Sequence, residues 1–271
     1  MRRASPRGER GFALLLVLWT MALLALLVAQ FNAAGRTEVQ IASNLRKAAV
    51  TQAAADGAAH EAILRLLQGT WQPDGRLRQV AVGDTSVELR IRTQARKVNP
   101  NMAPPPVLQA LLIAVGTEPD KAAVLSRAIV DWRQAALESL SGGLKLQQYR
   151  SAGLPYGPAN RLYDTVDEVG LVIGMTPKLL ARLRPLLSVY QEGDPPEPEE
   201  AFVAARNEAL LPAADPWHFG ATGRIMIAMI EATANGPQGG HFTRQAVVRL
   251  RAEASLDQAP FQILTWDTPW E

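Results

Sequence analysis

The chain has 271 residues, a formal net charge of +2 and no cysteine. Arg2, Arg3, Arg7 and Arg10 stand against Glu9 at the amino terminus, so the chain beyond Gly11 sums to −1. Without cysteine there are no disulfides, thiolate metal sites or cysteine nucleophiles. A near-neutral body also lacks the clustered basic surface that releases counterions from a duplex, so nucleic acid is not expected as a partner.

After the basic head, Phe12 to Ala29 is apolar apart from Thr20, long enough as a helix to cross most of a hydrocarbon core about 30 Å thick. A cleaved secretory signal has an apolar stretch of roughly 7 to 15 residues and a small-residue cleavage site. Here the stretch is longer and runs into Gln30, Phe31 and Asn32. The segment is therefore expected to be a single membrane span, covering 12–31, with the head 1–11 in the cytoplasm and the remaining chain outside.

Beyond the span, residues 36–68 are rich in alanine, and no proline occurs between Pro6 and Pro73. The composition predicts one helix from Phe12 to Gln68, about 85 Å long, with Gly57 a weak point and Gly69 its stop. Val39, Ala42, Leu45, Ala49 and Ala53 recur at helical spacing. That stripe has two readings, packing on the chain's own core or packing on a partner helix, and the sequence leaves both open.

Residues 76–96 change to a period of two, with Val80, Val82, Val87, Leu89 and Ile91 alternating around Gly83 and Asp84; this predicts a hairpin. Helical spacing returns over 98–190. There Leu111 to Val115, Gly116, then Thr117, Pro119 and Asp120 open a helix over Ala123 to Trp132, and Glu168 to Ile173, Gly174, Thr176 as cap and Pro177 open another. Both units read as helix-hairpin-helix pairs. The stretch 193–200 (GDPPEPEE) predicts an exposed connector. Arg224 to Ile230, Gln245 to Arg251 and Phe261 to Trp266 predict strands, with a glycine-rich turn at Asn235 to Gly240. Strands on both sides of a helical stretch imply an insertion. The expected segments are 32–97 (helix and first strands), 98–192 (inserted helical domain), 193–223 (connector) and 224–271 (last strands).

Candidate chemistry is sparse. His60, His218 and His241 show no ligand spacing, and there is no phosphate loop, nucleophile elbow or dinucleotide fingerprint. Asp131, Asp164, Asp167 and Glu168 could form an acid pair or a calcium site, but calcium takes about six to eight oxygens. Nothing in the sequence argues for catalysis, and no catalytic residue is assigned.

Gly11 followed by Phe12, between a short basic head and an unbroken apolar helix, resembles the processing site of the type IV pilin superfamily. In that superfamily a prepilin peptidase cuts after the glycine and methylates the new amino terminus, here Phe12. The body resembles the minor pseudopilins of type II secretion, the general secretion pathway protein K family. The resemblance runs through Leu45 to Leu67, Lys97 to Asn101 (KVNPN), Ala128 to Trp132 (AIVDW), Tyr149 to Asn160 (ending YGPAN), and on by Asp167, Glu168, Gly174 and Leu183 to Pro185. It implies an α+β fold: a pilin-like long N-terminal α-helix packed on a small antiparallel sheet, with a large all-α domain of helix-hairpin-helix or SAM-like kind inserted between strands.

The resemblance also implies a role. Most pilin-like subunits carry a glutamate five residues into the mature chain, thought to neutralise a neighbour's amino terminus; here that place is Leu16. The family reading puts such a subunit at the tip of the pseudopilus, with no subunit ahead to meet, promoting assembly and supporting export across the outer membrane. Implied partners are the other minor pseudopilins, the major pseudopilin, the prepilin peptidase and inner-membrane lipid; the body would be periplasmic. Family members follow the Asp-Trp pair with further acids that help to bind calcium, whereas here Asp131 and Trp132 lead into Arg133 and Gln134 and later SGGLKLQQY. Calcium is thus left open with the family's acidic motif largely absent, no other cofactor is expected, and no metal ligand is assigned. Two other expectations stand beside this one: a minor pilin of a type IV-like surface fibre for adhesion or DNA uptake, and a single-pass membrane-anchored periplasmic enzyme using the four acids above.

Overall fold

A computed structural model describes residues 9–134, 145–207, 215–220, 223–236, 239–253 and 258–269. Residues 1–8 of the expected leader lie outside these, as do 135–144 and parts of the expected connector.

Helix α1, Glu9–Leu67, runs for 59 residues, about 88 Å at 1.5 Å per residue. It ends where Gly69 takes a left-handed φ of 69°. The Thr70 amide then donates to Arg65 O at 3.0 Å and the Gly69 amide to Leu66 O at 3.1 Å, which satisfies carbonyls the helix would leave open.

The sheet is antiparallel and six-stranded: β1 Asp74–Val82, β2 Thr85–Thr93, β3 Trp217–Gly220, β4 Gly223–Asn235, β5 His241–Arg251 and β6 Phe261–Asp267. Its order is β1-β2-β4-β5-β6. β4 is long enough for two partners on one side: β2 pairs with it from Ala228 to Asn235, and β3 takes over from Gly223 to Met226. The chain leaves the sheet at the end of β2 and rejoins it at β3, in line with the strand it left. Val87, Leu89, Ile91, Ala228, Ile230, Ala232, Ala246, Val248 and Leu250 face α1, which meets them with Ala54, Ala55, Ala58, Ala59, Ala62, Ile63 and Leu66. Small side chains on the helix let it lie close to the sheet.

Between β2 and β3 lie α2 Pro105–Ala114, α3 Pro119–Arg133, α4 Lys145–Ser151, α5 Pro177–Leu183 and α6 Pro198–Asn207. They build a second core around Leu108, Leu112, Ile129, Val130, Trp132, Tyr149, Tyr163 and Leu183. Both hairpin units form, with differences. The cap before α3 is Glu118, whose side chain makes no capping hydrogen bond. The first arm of the second unit is a 3-10 turn, Val166–Leu171, and Thr176 accepts from the Leu179 amide as the sequence predicts. Within 193–223, read from the sequence as connector, the structure has α6 and β3. α6 packs on α2 and buries Ala201. Pro198 at its start suits a first helical turn, so the prolines and acids mark a helix onset as well as a loop.

The two ends of this helical stretch are tied together. Val98 and Leu187 form a parallel bridge, the Val98 amide donating to Leu186 O at 2.9 Å and the Ser188 amide to Val98 O at 3.0 Å. Asn99 Nδ2 donates to Gln191 O at 2.6 Å and to Val189 O at 3.2 Å. From there residues 187–192 form a strap over the sheet face opposite α1: Tyr190 bonds with Thr265 of β6, and Glu192 pairs with Arg249 of β5.

Candidate assembly interface

The half of α1 nearer the amino terminus has no partner among the described residues. Phe12 to Gln30 is 19 residues with mean hydropathy 2.7, none of it buried, so it is long and apolar enough to cross a membrane. Phe12 is 71% exposed and Leu16 53%. Thr20 Oγ1 donates to Val17 O at 2.9 Å, which satisfies within the helix the one hydroxyl that lipid could not.

Past the span the apolar exposure continues. Val39 is 70% and Leu45 67% exposed, and Ala42, Ala49 and Ala53 are exposed with them. The face resting on the chain's own sheet is a different one, beginning at Thr51 and Ala54. Of the two readings of the stripe, packing on the chain's own core is thus set aside.

Two devices seat α1 on the sheet. Arg244 Nε of β5 donates to Asp56 Oδ1 at 2.6 Å, and its guanidinium lies over Phe242 and Trp266 at 5.0 and 5.4 Å from their ring centroids. His60 of α1 also meets Trp266, the ring centroids 4.8 Å apart and the planes tilted by 49°. Further up, the β4–β5 turn touches the helix at Gly236 and Gly240, where an added Cβ would come within 2.5 and 2.9 Å of Thr51 Cγ2. The sequence marks this stretch only as a turn; nothing local signals that its glycines face a helix some 190 positions away. Gly240→Ala should therefore destabilise the protein by about 1–3 kcal/mol, and Thr51→Ser, which removes the opposing methyl, should restore most of it. Urea unfolding of the single and double variants checks this.

The quoted family segments turn out to be braces of the helical core. Asn101 Nδ2 donates to Tyr163 O at 2.9 Å while Asn101 Oδ1 accepts from the Tyr163 amide at 2.7 Å. The Asn160 amide donates to Trp132 O at 2.9 Å, with Asn160 at φ 53°. Trp132 stacks on Tyr163 at 6.3 Å and meets Tyr149 and Tyr156 at 6.1 and 6.5 Å. Arg133 Nη2 donates to Ala103 O at 3.0 Å and Nη1 to Pro100 O; burial lowers its pKa from the usual arginine value.

The four acids do not gather into a site. Asp131 is buried on α3. Asp164 pairs with Arg161 at 2.6 Å, Glu168 reaches the same arginine at 3.5 Å, and Asp167 pairs with Arg184 at 2.6 Å. Among the described residues no three side chains of histidine, cysteine, aspartate or glutamate lie close enough to hold a metal ion. At the hairpin after α2, Arg182 Nη1 donates to Val115 O at 3.0 Å, so this cation is engaged at a helix terminus.

Burial pushes the Tyr149 hydroxyl up to about 12 from 10.0, and burial raises Tyr163 as well. A folded-state pKa above the unfolded value favours the neutral form. Its stabilising contribution is complete below about pH 10 and is lost as pH rises through the folded value. Phenolate absorbance from these two residues should appear only above about pH 12, together with unfolding of the helical core. A Tyr149→Phe chain should lose part of the pH dependence between about 10 and 12, read by near-ultraviolet circular dichroism.

Comparison with known proteins bears on this architecture. The family described as type II secretion system, protein K matches residues 77–192. No curated protein gives a significant match. Among solved structures, a chain from the crystal structure of the GspK–GspI–GspJ complex of the enterotoxigenic Escherichia coli type 2 secretion system shares the fold, with TM-score 0.58 and 15% identity, over 87% of this chain and 100% of that one. These findings bear out the resemblance read from the sequence: the chain is similar to the type II secretion minor pseudopilin protein K family, and residues 77–192 carry that family's domain.

Proposed function

We propose that this chain is a minor pseudopilin at the tip of the type II secretion pseudopilus, where it promotes assembly and supports protein export across the outer membrane. The observation that carries the reading is the division of α1: its last third rests on its own sheet, while 12–30 and, past the span, Val39, Ile41 and Leu45 present an uncovered apolar surface. A helix of this kind is stable only with lipid or partner helices around it. The matched structure is of a GspK–GspI–GspJ complex, and the corresponding minor pseudopilins are the partners proposed here, with the major pseudopilin below them.

In this reading prepilin peptidase cuts between Gly11 and Phe12, residues 1–11 being the cytoplasmic leader, and Phe12 becomes the methylated amino terminus of a single-pass inner-membrane protein with a periplasmic body. Leu16 replaces the glutamate usual in the superfamily. A carboxylate at the centre of a membrane helix costs about 2.5–3.5 kcal/mol, so it persists only where a partner offsets it. A subunit with none ahead of it has no amine to meet. The helical domain at 98–192, of helix-hairpin-helix or SAM-like kind, would sit above the bundle and block further addition. The protein acts by association and not by catalysis.

The test is the mass of the mature chain from membranes with and without the peptidase, combined with export in a clean deletion. Phe12 with an added methyl and loss of secreted substrates are expected; unchanged secretion, or a chain that keeps Met1 to Gly11, sinks the proposal.

A further inference from the structure

Where β2 ends, Gln94 to Lys97 turn the chain off the sheet, with Arg96 in a left-handed conformation at φ 66°. On either side of this turn lie two adjoining clefts of about 450 and 410 Å³ that share Arg92, Lys97, Pro185 and Met229. Arg96 and Ala204 line the first, Arg184 and Gln94 the second. The lining thus holds four cations, Arg92, Arg96, Lys97 and Arg184, against Asp74 and Asp167. Asp74 is chelated by Arg78 at 3.0 Å through both oxygens, while Arg184 pairs with Asp167 at 2.6 Å and Arg92 with Glu231 at 3.3 Å, all four side chains partly in solvent. Surface pairs of this kind exchange partners at little cost. Gln94 is 1% exposed, and its side-chain nitrogen has no hydrogen-bond partner among the described residues.

We propose that this seam between the sheet and the helical domain binds an acidic, extended polypeptide segment of a partner protein. The charge runs against that of the chain, whose body is −1, and guanidinium groups receive carboxylates in paired, directional bonds. Ala95, Pro185, Leu186 and Met229 give an apolar floor for the backbone and the methylenes of glutamate. A bare phosphate uses none of that floor, and a duplex needs a longer basic track than four residues supply. The seam lies on the sheet face opposite α1, so the inference stands whether or not α1 packs in a pseudopilus.

The test uses the full chain in a non-ionic detergent and a fluorescein-labelled peptide of about ten residues alternating glutamate and alanine, long enough to span both clefts. Fluorescence anisotropy should show saturable binding that weakens at least about tenfold between about 50 and 500 mM salt. The pair Arg96→Gln with Arg184→Gln should weaken it by about tenfold, while Lys121→Gln with Arg127→Gln, on exposed α3, should leave it unchanged. If the pair unfolds, the single exposed change Arg184→Gln should still weaken binding by about threefold. No saturable binding at low salt, equal binding by the seam variants, or displacement by inorganic phosphate as readily as by unlabelled peptide overturns the proposal.

Discussion

Replacing Gly11 by valine is expected to leave residues 1–11 on the chain and to abolish export of type II substrates. A β-branched side chain stiffens the backbone and fills the space a glycine leaves at the scissile bond. The retained head carries Arg2, Arg3, Arg7 and Arg10. To rise with a growing pseudopilus, those four charges would have to enter hydrocarbon, at about 2.5–3.5 kcal/mol each and so on the order of 10 kcal/mol together. On the proposed function, removal of the head therefore precedes assembly. Intact mass and a secretion assay read the two outcomes separately, and a Leu16→Glu chain serves as control, since it adds a charge to the span without touching the cleaved bond. Normal secretion by a chain that keeps its head would refute the account.

Arg244→Ala should be the most damaging single substitution in the sheet. Arg244 is the buried partner of its pair, with its side chain 8% exposed against 27% for Asp56. Its removal strips the stack on Phe242 and Trp266 and leaves the Asp56 carboxylate half-buried without its cation. Breaking a buried pair from one side costs about 3–5 kcal/mol; because Asp56 keeps some solvent, about 3 kcal/mol is expected. Asp56→Ala should cost less, and the double variant much less than the sum, since once one partner is gone the other has little left to lose. Arg244→Met, which keeps an apolar body over the rings, should fall between. Chemical unfolding followed by circular dichroism gives the magnitudes, and proteolysis within 50–66 reports whether α1 has lifted. A loss below about 1 kcal/mol would show that the pair is an ornament of the surface.

Local periodicity carried much of the fold. The helix to Leu67, the hairpin around Gly83, and the strands later seen as β4, β5 and β6 all follow from spacing visible within a dozen residues. β3 is only four residues long, too short for alternation to register. α6 was hidden because the residues across its start, PEPEE, have a loop's composition, while what supports it as a helix is packing on α2, which spacing does not reveal. Asn99 and Asn101 could be singled out by resemblance but not understood, because their bonds reach residues 62 to 92 positions ahead. The same holds for Arg244 and Asp56, 188 positions apart. The membrane-length span was legible for the opposite reason: Phe12 to Gln30 is written in consecutive residues.

Because β2 is neighboured by β4, contacts such as Arg92 with Glu231 join positions 139 apart. At about 5–20 residues per second of synthesis, β2 waits on the order of ten seconds before its companion exists. During that wait Val87, Leu89 and Ile91 have only α1 and β1 to cover them, and one edge of the hairpin is open to any passing strand. Yield, before activity, is then the quantity most sensitive to anything that delays the intervening helices. Substitutions there should first appear as aggregated or degraded chain, in cells where every finished molecule still works.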